Sequence, residues 1–359
     1  MYIKSLKIRN FRNIEKIDID LDKNINIFVG NNAQGKTSIL ESIYVLALSK
    51  SSKNLDELEL IRKNSSFSRI EGNIRSSRTS RTLEVIFEKN KKRLKVDKNE
   101  IKKVSSYISN LNVIMFSPDD LDIIKKSPSF RRNLINTTLC QLFPNYLRVL
   151  NEYNKLLKIR NDYLKNSYQN IDEIYLEIVT DKLIERAIVI MQYRSKFINN
   201  INNYIADIYS KITTDSGLRV IYENSLKSYD KGSLKNFFKE NLFNDINKKI
   251  TLYGPHRDDI SFILDDMDLK LYGSQGQQRV AILAFKLSEI NLFKLTLGYY
   301  PVVLLDDIFS ELDVQKRNNL LKFIKSNMQF VISTTDILNI SNKIVNKAKV
   351  FKIKNGKIY

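Results

Sequence analysis

Ile25-Asn26-Ile27-Phe28-Val29 runs into Gly30-Asn31-Asn32-Ala33-Gln34-Gly35-Lys36-Thr37 and on into Ser38-Ile39-Leu40-Glu41-Ser42-Ile43-Tyr44. Residues 30–37 satisfy GxxxxGK[ST], and their setting matters more than the pattern. An apolar strand delivers a glycine turn to a helix N-terminus, where unpaired amides and the helix dipole converge on phosphate oxygens. The stretch predicts a P-loop in an α/β sheet, with Gly30, Asn31, Asn32, Ala33, Gln34, Gly35, Lys36, Thr37 and Ser38 around a bound nucleotide. Lys36 is expected to reach the β- and γ-phosphates. The Thr37 hydroxyl is expected to ligate Mg²⁺, which keeps most of its remaining shell as water and phosphate oxygens.

The other half of the site stands far downstream, in Pro301-Val302-Val303-Leu304-Leu305-Asp306-Asp307. Apolar residues ending in acids predict a buried parallel strand with carboxylates at its C-terminal edge, where open α/β sheets bind ligands. This reads as a Walker B strand. Asp306 is suited to hold Mg²⁺ through water, and Asp307 to orient or deprotonate the attacking water; an ordinary strand ending in a solvated turn is the alternative. The two motif strands are expected to be neighbours in one sheet, which makes most of the intervening chain insertion.

Between them lies Tyr272-Gly273-Ser274-Gln275-Gly276-Gln277-Gln278-Arg279, ahead of the amphipathic run Val280 to Leu287. Ser274, Gly276 and Gln277 at a helix N-terminus make a second phosphate-binding end. Because the P-loop already surrounds its own nucleotide, this second clamp is read as serving the nucleotide of a partner molecule. A capped helix after a hairpin is the plainer reading.

The order of P-loop, Ser-x-Gly-Gln signature, Walker B strand and Ser310-Glu311-Leu312-Asp313 resembles the ATP-binding-cassette ATPases of the chromosome-maintenance branch, and most closely the RecF family of bacterial recombination-repair ATPases. Three further stretches carry the likeness: Ile3 to Asn13, Phe116-Ser117-Pro118-Asp119-Asp120-Leu121, and Tyr253-Gly254-Pro255-His256-Arg257-Asp258-Asp259. The resemblance implies ATP and Mg²⁺ as cofactors and an ATP-dependent homodimer. It also implies weak DNA-stimulated hydrolysis, action on single- and double-stranded DNA at gapped junctions, and RecR and RecO as partners in recombinase loading. Such families usually carry glycine where Ala33 stands, asparagine where Ser38 stands, and a Ser-Phe-Arg cluster where this chain has Ser51-Ser52-Lys53.

The chain has 359 residues, enough for two cores. Lys+Arg of 59 against Asp+Glu of 40 leaves a formal charge of +19, which favours polyanions, nucleic acid above all. A Lys-, Asn- and Ile-rich composition gives a competing explanation for part of that excess. One cysteine, Cys140, leaves no intramolecular disulfide framework, and one histidine, His256, argues against a Cys/His zinc site or a Ser-His-Asp triad. Charges interrupt Met1 to Asn13, and no apolar stretch approaches a bilayer span, so no membrane association and a cytoplasmic location are expected.

Ile17 to Leu21 alternates like a half-buried strand, and further strands are expected at 68–74, 82–87, 92–96, 112–116, 259–264, 302–305 and 350–353. From about Ser127 to Asn247 helical periodicity takes over. The basic loop Arg75 to Arg81 and the set Arg131, Arg132, Lys155, Lys158 and Arg160 are each read as either a DNA-contacting or a merely solvated surface. Phe330 to Asp336 predicts a buried strand ending in hydroxyls, with Thr334 or Thr335 in the place of a γ-phosphate sensor. The fold expected is α/β: an ATP-binding-cassette-type head with a mixed sheet, built from 1–126 and 248–359, and a mainly helical domain inserted at 127–247. Three other functions compete with the RecF-like reading: the head of a chromosome-maintenance ATPase, disfavoured by the absence of coiled-coil arms; a transporter ATPase; and a non-catalytic DNA scaffold that holds ATP.

Overall fold

The computed structural model describes all residues except 54, 77–78, 167–171, 214 and 324–326. In chain order the strands are β1 (Tyr2–Phe11), β2 (Ile14–Asp20), β3 (Ile25–Val29), β4 (Phe67–Arg75), β5 (Ser80–Glu88), β6 (Lys91–Val96), β7 (Asn99–Glu100), β8 (Val113–Phe116), β9 (Arg219–Glu223), β10 (Asp259–Leu264), β11 (Met267–Asp268), β12 (Val302–Asp306), β13 (Phe330–Thr334), β14 (Lys349–Lys354) and β15 (Lys357–Ile358). They form three sheets, ordered β2-β1-β4-β5-β6-β7, β15-β14-β3-β13-β12-β8 and β11-β10-β9. In the second sheet, strands β14 to β8 run parallel and β15 closes the edge antiparallel, so the sheet is mixed. Its central strands are buried almost end to end, as parallel strands covered on both faces must be.

Packing divides the chain into two units, Met1–Asp122 with Asp207–Ser216 and Gln278–Tyr359, and Ile123–Ala206 with Gly217–Gln277. The division departs from the boundaries at 126, 127, 247 and 248. Strand β10 explains much of the difference: it pairs antiparallel with β9, Asp259 opposite Glu223 and Ile263 opposite Arg219, so it belongs with the insertion. The insertion is therefore helical with a small sheet of its own.

A second correction concerns the order of strands. β3 and β12 are not neighbours, because β13 lies between them. Helix Lys36–Leu48 packs on both β13 and β12, so its first turn can still meet the end of β12 across a gap of about two strand spacings, ~9.5 Å.

In the second unit, Arg131 and Arg160 prove not to be surface residues. Both are nearly fully buried; Arg131 holds Asp259 through two bonds of 2.7 Å, and Arg160 holds Asp245 at 2.7 Å. Arg132 donates to the Asp258 carbonyl at 2.8 Å, whereas Lys155 and Lys158 are exposed. Of the basic loop at 75–81, Ser77 and Arg78 lie outside the described residues. No described helix is long and apolar enough to cross a membrane.

His256 is built into the second unit as a neutral ring. Its Nε2 lies 3.0 Å from the Thr251 carbonyl, which only accepts, so Nε2 carries the proton and Nδ1 accepts from the Tyr153 hydroxyl at 2.6 Å. Burial, with lesser effects from Arg257 and Arg132, pushes its pKa down from 6.5 to about 4. The unfolded chain therefore binds a proton that the folded chain refuses, and stability falls as the pH drops from 6.5 towards 4. The loss should reach about 2 kcal/mol by pH 5. Urea unfolding at pH 7 and pH 5 should show this difference in the wild type and a much smaller one in His256→Gln.

Candidate nucleotide-binding site

The P-loop geometry follows from close backbone approaches. A side chain on Gly30 would place its Cβ 2.4 Å from the Ile353 carbonyl oxygen, so β14 requires glycine there. Gly35 has φ 106°, a left-handed conformation that frees the following amides at the helix start. Ala33 also sits at positive φ, 62°, which explains why glycine is the easier residue there and places the chain's departure at a mildly strained point. The turn between β1 and β2 braces the loop: Asn13 donates to the Ala33 carbonyl at 3.4 Å and accepts from the Ser38 hydroxyl at 2.8 Å.

Lys36 is 6% exposed and its ammonium donates to the Gly30 and Asn31 carbonyls at 2.7 and 2.8 Å. Burial lowers its pKa, and the carboxylates of Asp307 and Asp306 partly offset that. Thr37 donates through Oγ1 to Asp306 Oδ1 at 2.9 Å, and the Ser333 hydroxyl donates to the same oxygen at 2.7 Å. Asp307 follows at φ 49°, its amide 3.0 Å from Ser333 Oγ. Its Oδ1 is buried and has no hydrogen-bond partner among the described residues. Burial raises the Asp307 pKa, against the pull of Lys36 and with the push of Asp306. Lys36, Thr37, Ser38 and Asp307 line a cleft of about 910 Å³, together with Asn32, Ala33 and Gly35.

Of the two strand-end hydroxyls expected at the γ-phosphate, Thr334 is turned away from the cleft. Thr334 is 1% exposed and its hydroxyl donates to the Asp336 carbonyl at 2.8 Å, closing a local turn; it does not line the cleft. Ser333 is the hydroxyl that reaches the acid cluster, because the register sets it opposite Asp306 while Thr334 pairs with Val29. Alternation within Phe330 to Thr334 was the available signal. Sequence reading also missed the far wall of the cleft, where Arg12, Asn13, Glu59, Arg62 and Lys63 gather from the β1–β2 turn and the segment before β4.

Ser274 stands immediately before helix Gln275–Leu297 and is exposed. Its hydroxyl accepts from the Gln277 amide at 3.2 Å, and its own amide donates to Gln277 Oε1 at 3.0 Å, a reciprocal capping box that fixes the helix start. Gly276 lies in the first turn, where free amides point outward. These residues belong to the second unit and the P-loop to the first. The Phe116 to Leu121 segment has a bracing role: Asp120 accepts from the Ser117 amide and hydroxyl at 2.9 and 2.8 Å and from Lys286 at 2.6 Å. Arg279 pairs with Glu311 at 3.0 Å, and Asp313 caps helix Val314–Leu321 through the Lys316 amide.

A glycine turn between a parallel strand and a helix, a lysine and a threonine at the helix start, and two acids at the end of a second parallel strand define a P-loop nucleoside-triphosphate-binding head. Residues 2–358 match the RecF/RecN/SMC N terminal domain. The chain is 38% identical over 368 residues to the DNA replication and repair protein RecF of Staphylococcus carnosus, covering both chains in full. It is equally similar to that of Ligilactobacillus salivarius, covering 97% of it. The solved recombination mediator protein RecF with ATP, of the RecFOR pathway, superposes with a TM-score of 0.92 at 31% identity, covering 100% of this chain and 97% of that one. An Smc head bound to the C-winged helix domain of ScpA shares the fold, with a TM-score of 0.58 at 16% identity. The chain belongs to the RecF family.

Replacing Lys36 by Ala removes the one ammonium on the P-loop wall of the cleft. ATP affinity measured by calorimetry should fall about ten- to a hundredfold, the scale of one charge-assisted hydrogen bond. The melting temperature should not fall with it, because the buried cation is held at some electrostatic cost.

Proposed function

We propose that the protein is an ATP-dependent DNA-binding switch of recombinational repair and replication, hydrolysing ATP slowly between two copies of itself. The observation that carries the hydrolytic reading is Asp307: a cleft-lining carboxylate next to Lys36, with one buried oxygen that no described group satisfies. A cleft-lining carboxylate whose pKa burial raises is suited to take a proton from an attacking water, while Lys36 and the loop amides would hold phosphate oxygens.

The donor set fits a hard divalent cation. Thr37 Oγ1 and Asp306 Oδ1 are 2.9 Å apart, and no cluster of three or more His, Cys, Asp or Glu occurs among the described residues, so a cation here takes most of its shell from water and phosphate. Thr37 and Asp306 would hold Mg²⁺, which supplies charge neutralisation at the phosphate oxygens.

Ser274, Gly276 and Gln277 of one copy would cap the nucleotide held by the P-loop of another. Support comes from their exposed, pre-formed helix start and from the absence of any need for them in the P-loop cradle. Nucleotide touching both copies then favours the dimer by linkage. The family and the RecFOR relative support DNA, RecO and RecR as partners. The competing reading, a scaffold that holds ATP without turnover, loses the use of Asp307.

Asp307→Asn should bind ATP and release no phosphate, and the acid limb of the wild-type rate profile should have an apparent pKa above the ordinary 3.8 for aspartate. Wild-type release from this variant would move the base elsewhere. Ser274→Arg should bind ATP as a monomer and fail to dimerise by sedimentation. Mixed with Lys36→Ala it should regain part of the activity, since one complete site forms in the heterodimer. Constant specific activity of the wild type at dilutions where only monomers sediment would end the shared-site mechanism.

A further inference from the structure

Residues 337–359 contain six lysines, Lys343, Lys347, Lys349, Lys352, Lys354 and Lys357, and no acid. All six are exposed, and among the described residues none is paired with a carboxylate; Lys349 donates to the Asp20 carbonyl at 2.7 Å. One cluster of basic side chains on the antiparallel six-stranded sheet is arranged differently. There Lys7 lies 3.5 Å from Glu71, Arg69 holds both Glu71 and Glu84, and Lys95 lies 3.6 Å from Glu84. That cluster neutralises itself, and the C-terminal hairpin does not.

Edge protection explains part of the lysine content, since β15 is the edge strand of its sheet. It does not explain the register. Lys354 and Lys357 are directly opposed across the β14–β15 pair, a like-charge placement that weakens the hairpin. Lys352 shares their exposed face, two residues or ~6.6 Å along the strand from Lys354. A row of cations that costs the fold and has no acid partner fits a repeating external anion.

We propose that the β14–β15 hairpin docks the phosphate backbone of duplex DNA and is mechanically joined to the nucleotide loop. The inference rests on the DNA-binding reading above and assigns it a surface. The joint is visible at the hairpin turn. The Gly356 amide donates to the Gln34 carbonyl at 2.9 Å, the Asn355 amide donates to Gln34 Oε1 at 2.5 Å, and Gly30 lies against the Ile353 carbonyl. DNA phosphates on the lysines relieve the Lys354–Lys357 repulsion and tighten the turn that grips Gln34, two residues before Lys36.

The test compares the wild type with Lys352→Ala/Lys354→Ala/Lys357→Ala and with a charge-matched control at exposed lysines of the other unit, Lys182→Ala/Lys196→Ala/Lys239→Ala. Anisotropy of a labelled duplex is titrated with ATP over a series of salt concentrations. The hairpin variant should bind more weakly, with the log-log salt slope reduced by about 0.9 for each phosphate no longer neutralised. Its melting temperature should equal or exceed that of the wild type, its DNA-free ATP affinity should be unchanged, and the effect of DNA on phosphate release should shrink. Arginine at the same three positions should restore binding. A hairpin variant with wild-type affinity and slope overturns the proposal, as does a lowered melting temperature with DNA binding intact. Failure of the wild type to bind duplex at any salt instead removes the DNA reading itself.

Discussion

Everything in the nucleotide-binding head depends on one carboxylate oxygen. Asp306 Oδ1 receives the Thr37 hydroxyl from the helix after β3 and the Ser333 hydroxyl from β13, so three chain segments meet at an atom 4% exposed in its residue. The Thr37 contact spans 269 positions of sequence. Parallel strands make this convergence possible, because only parallel strands bring all their C-terminal ends to one edge. Crossovers of arbitrary length can then be accommodated on the way, since closing a longer loop costs little extra entropy.

The second unit solves a different problem, the burial of long cations. Arg131, Arg160 and Arg194 are all 2% exposed or less, and each meets an aspartate of the 245–259 region: Asp259, Asp245 and Asp258 respectively. Asp258 also receives the Tyr222 hydroxyl and, at 2.9 Å, the Ser225 amide, and Arg194 donates to the Pro255 carbonyl at 2.7 Å. The Tyr253 to Asp259 block is thus a hub of buried ion pairs and hydrogen bonds in this unit. Buried pairs add little net stability, but removing one partner leaves a charge stranded, at about 3–5 kcal/mol. That asymmetry ties the block's aspartates to their arginines.

Much of the head was legible in the sequence because its motifs combine local pattern with a required setting. Gly30 to Thr37 and Val302 to Asp307 each specify residue types, strand and turn together, and the structure places both where the pattern requires. What the sequence hid was mostly long-range. That β13 separates β3 from β12 cannot be read from either motif, and neither can the register that sets Ser333 opposite Asp306. The burial of Arg131 and Arg160 was illegible because an arginine on a helix with polar neighbours resembles a solvated one until its aspartate, 85 to 128 positions away, is placed beside it. β9 escaped because five residues of Arg219–Glu223 become a strand only by pairing with β10.

Both ionisable groups at the head of the cleft are pushed towards neutrality. Burial lowers the Lys36 pKa and raises that of Asp307, and their mutual attraction only partly restores the charged forms. Ala33 and Asp307 also hold left-handed backbone that a non-glycine residue adopts at a cost. The surrounding fold must over-determine these features for them to persist, and it does: Asn13, Ser38 and Gln34 tie down the loop, while Ser333 and Ser310 hold the Asp307 backbone. An anionic ligand facing Lys36 removes part of the penalty on the ammonium. Binding is therefore favoured by relief of a cost already present in the free protein, and by linkage the same ligand must stabilise the head.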